Sequence, residues 1–300
     1  ELQVPTHIGV SAPMVNDGTM ENKGWEFVLG HENRIGNFTY SISANLETYR
    51  NKLVKFGARE INSSNGTIKQ EGLPWSSYYM YVFDGIYQNQ SEIDNGPKPL
   101  SNLTQPGDMK YKDISGPDGV PDGKITPDDR VVVDGAFPKF NYGFTINAAY
   151  KGFDLSLTGM SALGHQIAKS YRSFAQNEFE NYTTEILGCW DGEGTSNRLP
   201  RFSDGAKTNW TNISDIYIED ADYFRLSNLT IGYDFKQLWK KSPLSQIRLY
   251  FTAQNLFTIT NYSGMDPEVG YGGGTAWGSG IDLGFYPSSR IYLVGVNLKF

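Results

Sequence analysis

The chain has 300 residues, a net charge of −7 and a pI near 5.1, and it lacks the basic patch that nucleic-acid phosphates require, which excludes a nucleic-acid partner. A mean hydropathy of −0.44 and the lack of any apolar run of about 18 residues exclude a transmembrane helix. They do not exclude a membrane-crossing strand, which needs only about 9 to 11 residues, apolar at every second position.

Composition favours strands: 19 Tyr, 17 Phe, 6 Trp and 33 Gly suit pleated segments joined by turns and long loops, so the expected class is all-β. The single cysteine, Cys189, rules out an internal disulfide framework, and His7, His31 and His165 have no zinc-site spacing. The chain opens at Glu1 without a start methionine, basic segment or apolar segment. The expectation is a piece of a longer polypeptide, interrupted within a surface loop, with any targeting signal upstream.

Alternation at period two marks the strands in chain order. Trp25–His31 is the first, and Arg34–Gly36 is a tight turn. In Phe38–Glu47, Phe38, Tyr40, Ile42, Ala44 and Leu46 alternate without a break against Thr39, Ser41, Ser43, Asn45 and Glu47. Roughly 90 residues then pass before the next clear strand, a length reserved for functional loops. Within them Asp118–Asp129 reads D-G-V-P-D-G-K-I-T-P-D-D, which aligns with the twelve-residue calcium loop. Asp118, Asp122, Thr126, Asp129 and the Lys124 carbonyl would be the metal ligands, with Gly123 at the sharp turn. Val120 replaces an expected ligand, Asp129 is not the usual bidentate Glu, and Asp113 and Ser115 could compensate. Ca2+ is one reading, and a metal-free acidic turn region is the other.

Asn141–Tyr150 alternates again, Lys151-Gly152 is a tight turn, and Phe153, Leu155 and Leu157 continue the pattern. A loop of about 60 residues follows, then Leu229–Phe235, a moderate turn from Lys236 to Gln246, Ile247–Asn255, a loop of about 30 residues, and a final strand. That strand presents Tyr292, Val294, Val296, Leu298 and Phe300 on one face. Short connections alternate with long ones, which is the rule for outer-membrane barrels with short periplasmic turns and long extracellular loops. Tracing the strands down and up leaves the C-terminus in the periplasm if zero or two strands hide between Glu47 and Asn141. About seven to nine strands result. An odd count leaves open edges that lipid does not tolerate, so further strands are expected upstream. A secreted or surface glycan-binding β-sandwich also alternates, but it does not call for a Ser/Thr/Asn-rich face together with long loops on one side only.

Several stretches resemble the TonB-dependent outer-membrane transporters of the SusC/RagA type from Bacteroidota. They are Asn22-Lys-Gly-Trp-Glu26, Gly107-Asp-Met-Lys-Tyr-Lys-Asp113 with Asp129-Arg130, Pro138-Lys-Phe-Asn-Tyr-Gly-Phe144 and Tyr150-Lys-Gly-Phe-Asp-Leu155. Asp222-Tyr-Phe-Arg-Leu-Ser-Asn-Leu229, Ala253-Gln-Asn-Leu-Phe257, Tyr262-Ser-Gly-Met-Asp-Pro-Glu268 and the ending from Tyr286 to Phe300 complete the set. The resemblance implies an antiparallel transmembrane β-barrel of about 22 strands around a plug. Residues 1–300 would supply its C-terminal portion, with the plug and earlier strands lying outside this chain. It further implies import of glycans or oligopeptides with energy relayed by TonB through the missing N-terminal part, beneath a SusD-like lipoprotein lid.

Substrate would meet the long loops and the upper wall. Trp190, Asp191, Trp210, Tyr271 and Trp277 pair flat aromatic faces with polar neighbours, which suits sugars or peptides, although such rings also pack loops or face a partner. Gly270–Gly280 lacks the ending of a phosphate loop. Ser161 in G-M-S-A-L-G does not fit a nucleophile elbow, and no carboxylate pair can be placed across a cleft, so no catalytic residues and no enzyme are expected. The Asn-x-Ser/Thr matches, such as Asn37 and Asn102, are chance in an Asn-rich chain.

Overall fold

The computed structural model describes residues 18–57, 59–62, 66–75, 77–133, 135–169, 182–202, 209, 212–268 and 280–300. Seven long strands make one wall: β1 (Thr19–Ile35), β2 (Phe38–Lys55), β3 (Phe140–Tyr150), β4 (Phe153–Leu163), β5 (Tyr223–Asp234), β6 (Gln246–Thr260) and β7 (Ile291–Lys299). They pair in chain order, each antiparallel to the next, and β2 pairs directly with β3. Among the described residues no strand from the connection between them enters the wall. Among the described residues β1 and β7 are paired on one side only.

The registers separate two chemistries. Opposed residues share a face, so one row runs across the whole wall through Ile35, Phe38, Tyr150, Phe153, Tyr233, Leu249 and Val296. The row beside it on the same face is Tyr40, Ala148, Leu155, Ile231, Phe251 and Val294. Leu29 is 77% exposed, Val294 76% and Trp25 72%. An exposed leucine forgoes roughly 1.5 to 3 kcal/mol in water, so a face made of such residues needs an apolar neighbour, and lipid is the one that suits a barrel wall. The other face is polar: Ser41, Asn147, Ser156, Thr230 and Thr252 lie in one row, with Asn147 Nδ2 donating to Ser41 Oγ at 3.2 Å and the Thr230 and Thr252 hydroxyls 2.9 Å apart.

Two glycines let side chains cross strands. Asp154 and Arg248 form a bidentate ion pair across β5, with Nε to Oδ1 at 2.8 Å and Nη2 to Oδ2 at 2.5 Å. A Cβ on Gly232 would lie 2.6 Å from both Arg248 Nε and Asp154 Oδ1. On the apolar face the rings of Phe144 and Phe224 stack 6.1 Å apart over Gly159, where a Cβ would meet both.

The short connections gather at one rim and the long ones at the other. Lys151 (φ 45°) and Gly152 (φ 92°) both take left-handed conformations, as a two-residue hairpin turn requires. The long connections fold. Glu60–Asn62, Thr67–Lys69, Ser77–Tyr81 and Arg130–Val133 form a four-stranded sheet, and Phe83–Ile86 pairs with Met109–Tyr111. Gln166–Lys169 lies between Ile218–Asp220 and Ile281–Asp282 in a three-stranded sheet. Expected only as loops, these regions hold the main buried cores of the described residues, because a single-layer wall buries little by itself.

Candidate functional site at the long-loop rim

Three connections meet above the wall and lock together. The side chain of Tyr78 is buried with Met80, Ala168 and Ile281. Its hydroxyl lies 2.6 Å from the Gly280 carbonyl and 3.0 Å from that of Gln166, joining the β2–β3, β4–β5 and β6–β7 connections at one atom. Burial pushes the Tyr78 phenol well above its ordinary range, so it stays a neutral donor. A second core unites Tyr81, Ile86, Met109, Tyr111 and Ile125 of the first connection with Ile216 and Tyr217 of the second.

The β6–β7 connection is clamped to the wall by Arg225, which is 3% exposed. Its Nη2 donates to Asp266 at 2.5 Å, Nη1 to Glu268 and Nε to Thr258 Oγ1 at 3.0 Å. Burial alone would raise the Asp266 carboxyl. The backbone N–H groups of Glu268 and Ser288 and the Arg225 guanidinium outweigh it and hold the carboxyl below the usual range. Two stretches of the resemblance, Asp222–Leu229 and Tyr262–Glu268, therefore meet in one ion-paired joint.

Beneath this joint, on the polar side of the wall, a cavity of about 320 Å³ is lined by residues that include Tyr49, Phe137, Asn141, His165, Tyr223 and Glu268. The Tyr49 and Phe137 rings lie edge to face at 6.3 Å. His165 is 7% exposed; burial pushes its pKa down against the opposing pull of Asp222 and of a hydrogen bond to the Pro267 carbonyl, which leaves a neutral imidazole. Aromatic faces beside an amide and a hydroxyl offer stacking and hydrogen bonding to a polar ligand. Sequence reading missed these residues, yet Tyr49, Asn141 and Tyr223 continue the polar-side positions at the upper ends of β2, β3 and β5.

Trp190 lies elsewhere. Half-buried, it packs against the second core, its Nε1 donates to Gln88 Oε1 at 3.2 Å, and a Cβ on Gly107 would strike its ring. Asp191 is exposed, and its backbone N–H donates to Thr195 Oγ1. Trp210, Tyr271 and Trp277 lie outside the described residues.

The acidic loop holds itself together. Asp129 is fully buried; Oδ1 accepts from the N–H groups of Ile114 and Ser115 at 2.9 and 3.1 Å, and Oδ2 accepts from Thr126 N–H at 2.7 Å. Thr126 in turn accepts from Asp128 N–H, completing a capping box. Asp113 binds the N–H groups of Asp122 and Gly123, and Asp122 Oδ1 accepts from Lys124 N–H. Gly123 does make the sharp turn, at φ 78°. Asp118 is exposed, and among the described residues no three Asp, Glu, His or Cys side chains converge as a cation site. Of the expected ligands, Thr126 and Asp129 lie together, with Thr126 Oγ1 3.4 Å from Asp129 Oδ2, and backbone N–H groups engage the carboxylates of Asp129 and Asp122.

Fold, rim and joint can be set against known proteins. No family profile matches the chain. It is 32% identical over 99% of its length to the "TonB-dependent receptor P3" of Formosa agariphila, covering 30% of that protein. It is 26% identical over its whole length to the TonB-dependent receptor SusC of Bacteroides thetaiotaomicron, covering 28% of it. The chain is thus similar over nearly its whole length to TonB-dependent receptors. Among solved structures it is similar to the RagAB peptide transporter, with a TM-score of 0.74 at 23% identity over 99% of the chain and 31% of the other, which supports the barrel-wall fold. The chain thus spans about a third of the length of these relatives.

Proposed function

We propose that this chain forms part of the wall and rim of an outer-membrane importer that takes up oligopeptides or glycans with TonB-derived energy. The observation that carries the reading is the two-faced wall: an unbroken apolar row across seven strands outside, and a hydroxyl and amide ladder inside. Similarity over the whole chain to TonB-dependent receptors supports it. In this reading the short-turn rim and Phe300 face the periplasm, and the long-loop rim faces outward beneath a SusD-like lipoprotein. TonB acts through a plug supplied by sequence beyond this chain. Substrate contacts the aromatic cavity at Tyr49, Asn141 and Tyr223. Likeness in fold to a peptide transporter favours oligopeptides over glycans as the first class to test.

Uptake assays on cells carrying the full-length protein test the reading. Tyr223→Ala is expected to slow uptake of fluorescent oligopeptides several-fold while detergent-extracted protein keeps its heat-modifiable gel migration. Unchanged uptake of both peptides and glycans on deleting the gene would overturn it.

A further inference from the structure

We propose that the short-turn rim is a docking surface for anionic phospholipid headgroups, built from Lys151, Lys240 and Lys241 beside exposed Leu238 and Trp239. The proposal rests on the membrane reading above and goes beyond it, since a barrel needs an apolar band but not a charged collar.

Charge is segregated along this chain. The three short connections, residues 36–37, 151–152 and 235–245, contain Lys151, Lys236, Lys240 and Lys241 and no Asp or Glu, although the chain as a whole carries −7. Part of this charge has an internal use: Lys236 Nζ donates to the Ser242 carbonyl at 2.8 Å. Lys240 and Lys241 are exposed and have no ion pair among the described residues, and Lys151 Nζ stands 5.2 Å over the exposed ring of Tyr150. Neighbouring carboxylates are already engaged. Asp154 holds Arg248 on the polar face, and Asp234 accepts from the N–H groups of Lys236 and Ile247.

The lysines form one patch because their turns touch. Asp234 N–H donates to the Gly152 carbonyl at 2.8 Å, and a Cβ on Gly152 would collide with Gln237. The patch is continuous with the apolar band: Phe153 and Tyr233 lie 4.4 Å apart between centroids, and Tyr233 and Phe235 lie 5.0 Å apart. Just past them, Leu238 is 72% exposed and Trp239 57%. A tryptophan and a leucine held in a turn at the end of a lipid-facing band match the depth of headgroups, where an amphipathic ring is stable and lysine stems extend to phosphate. Cations with no ion pair among the described residues match, at that depth, a phosphodiester that carries net negative charge.

The test uses the full-length protein in nanodiscs of phosphatidylcholine alone, and in discs where about a third of the lipid is phosphatidylglycerol. The expected result is a higher melting temperature in the anionic discs, a rise that high salt erases. The triple variant Lys151→Gln/Lys240→Gln/Lys241→Gln should lose that rise and melt like the wild type in phosphatidylcholine. Equal melting of the wild type in both discs, or an undiminished rise in the variant, overturns the proposal. Inorganic phosphate added to phosphatidylcholine discs should change nothing; if it reproduces the rise, the lysines hold a soluble anion and the lipid assignment falls. A protein that enters neither disc overturns the membrane reading itself, an outcome distinct from equal melting in both.

Discussion

Arg225 shows how much one side chain can carry in a structure that is nearly all surface. Its guanidinium is buried against two carboxylates, and leaving such a charge or its partner alone costs about 3 to 5 kcal/mol. Arg225→Met should therefore release residues 261–268 from the wall, read as faster hydrogen exchange there while the β-sheet signal of the wall persists. His165 supplies a pH dependence. Burial holds its folded pKa below the ordinary 6.5, so the stability from burying the neutral ring is full above that value and is lost as pH falls through the lower folded pKa. Limited proteolysis of the rim should accelerate below about pH 6, and His165→Gln should flatten that response. For the acidic loop, the hydrogen-bond accounting favours Asp129 as a bracket over Asp129 as a ligand. Calcium titrated into the full-length protein should leave its melting point unchanged, whereas Asp129→Ala, which strands three backbone N–H groups, should lower the stability of the loop by about 1 to 3 kcal/mol. The turn at Gly123 was legible in the sequence; the partners of the carboxylates were not, because spacing says where oxygens lie along a chain and not which N–H groups fold back onto them.

At the level of strands, alternation was readable wherever it kept its phase. Alternation marks β5 only over Leu229–Phe235, although the strand begins at Tyr223. The reason is a bulge: Leu226 and Asn228 pair with Phe257 and Gln254, so Ser227 faces the two residues Asn255 and Leu256. Across the other neighbour, Thr158 and Gly159 pair with Asn228 and Leu226, leaving Ser227 as an insertion. One inserted residue moves Leu226 and Phe224 onto the apolar face and inverts the period-two signal. Asn255 takes φ 51° at the same bulge, and its Nδ2 donates to the Ser289 carbonyl. Two stretches that looked like separate family marks, Asp222–Leu229 and Ala253–Phe257, are thus one feature seen on adjacent strands. Asn255→Val should cost about 1 to 2 kcal/mol through the left-handed backbone, while Asn255→Gly should be far milder; both are measurable as urea resistance of the barrel in detergent. The two- to five-residue strands of the rim left no such trace. Their placement goes with Tyr78 packing on Ala168 and Ile281, and with Tyr81 and Tyr111 packing with Ile216 and Tyr217, contacts across connections that local pattern does not record.

For the molecule as a whole, the seven strands make one sheet whose rim is better packed than its wall. Sequence parity leaves seven or nine strands open, with zero or two between β2 and β3, and the direct β2–β3 pairing selects seven; the fusion of the rim into shared cores leaves no mark on parity. Because β1 and β7 each expose an unpaired edge among the described residues, residues 1–300 produced alone should aggregate in detergent, while the full-length protein should migrate as a compact, heat-modifiable species. The hydroxyl of Tyr78 bears on how such receptors can be diversified. Since one atom joins three connections, a new specificity cannot be imported by transplanting a single connection from a relative. The three must travel as a set, and chimaeras that exchange all of them should assemble where single exchanges misfold.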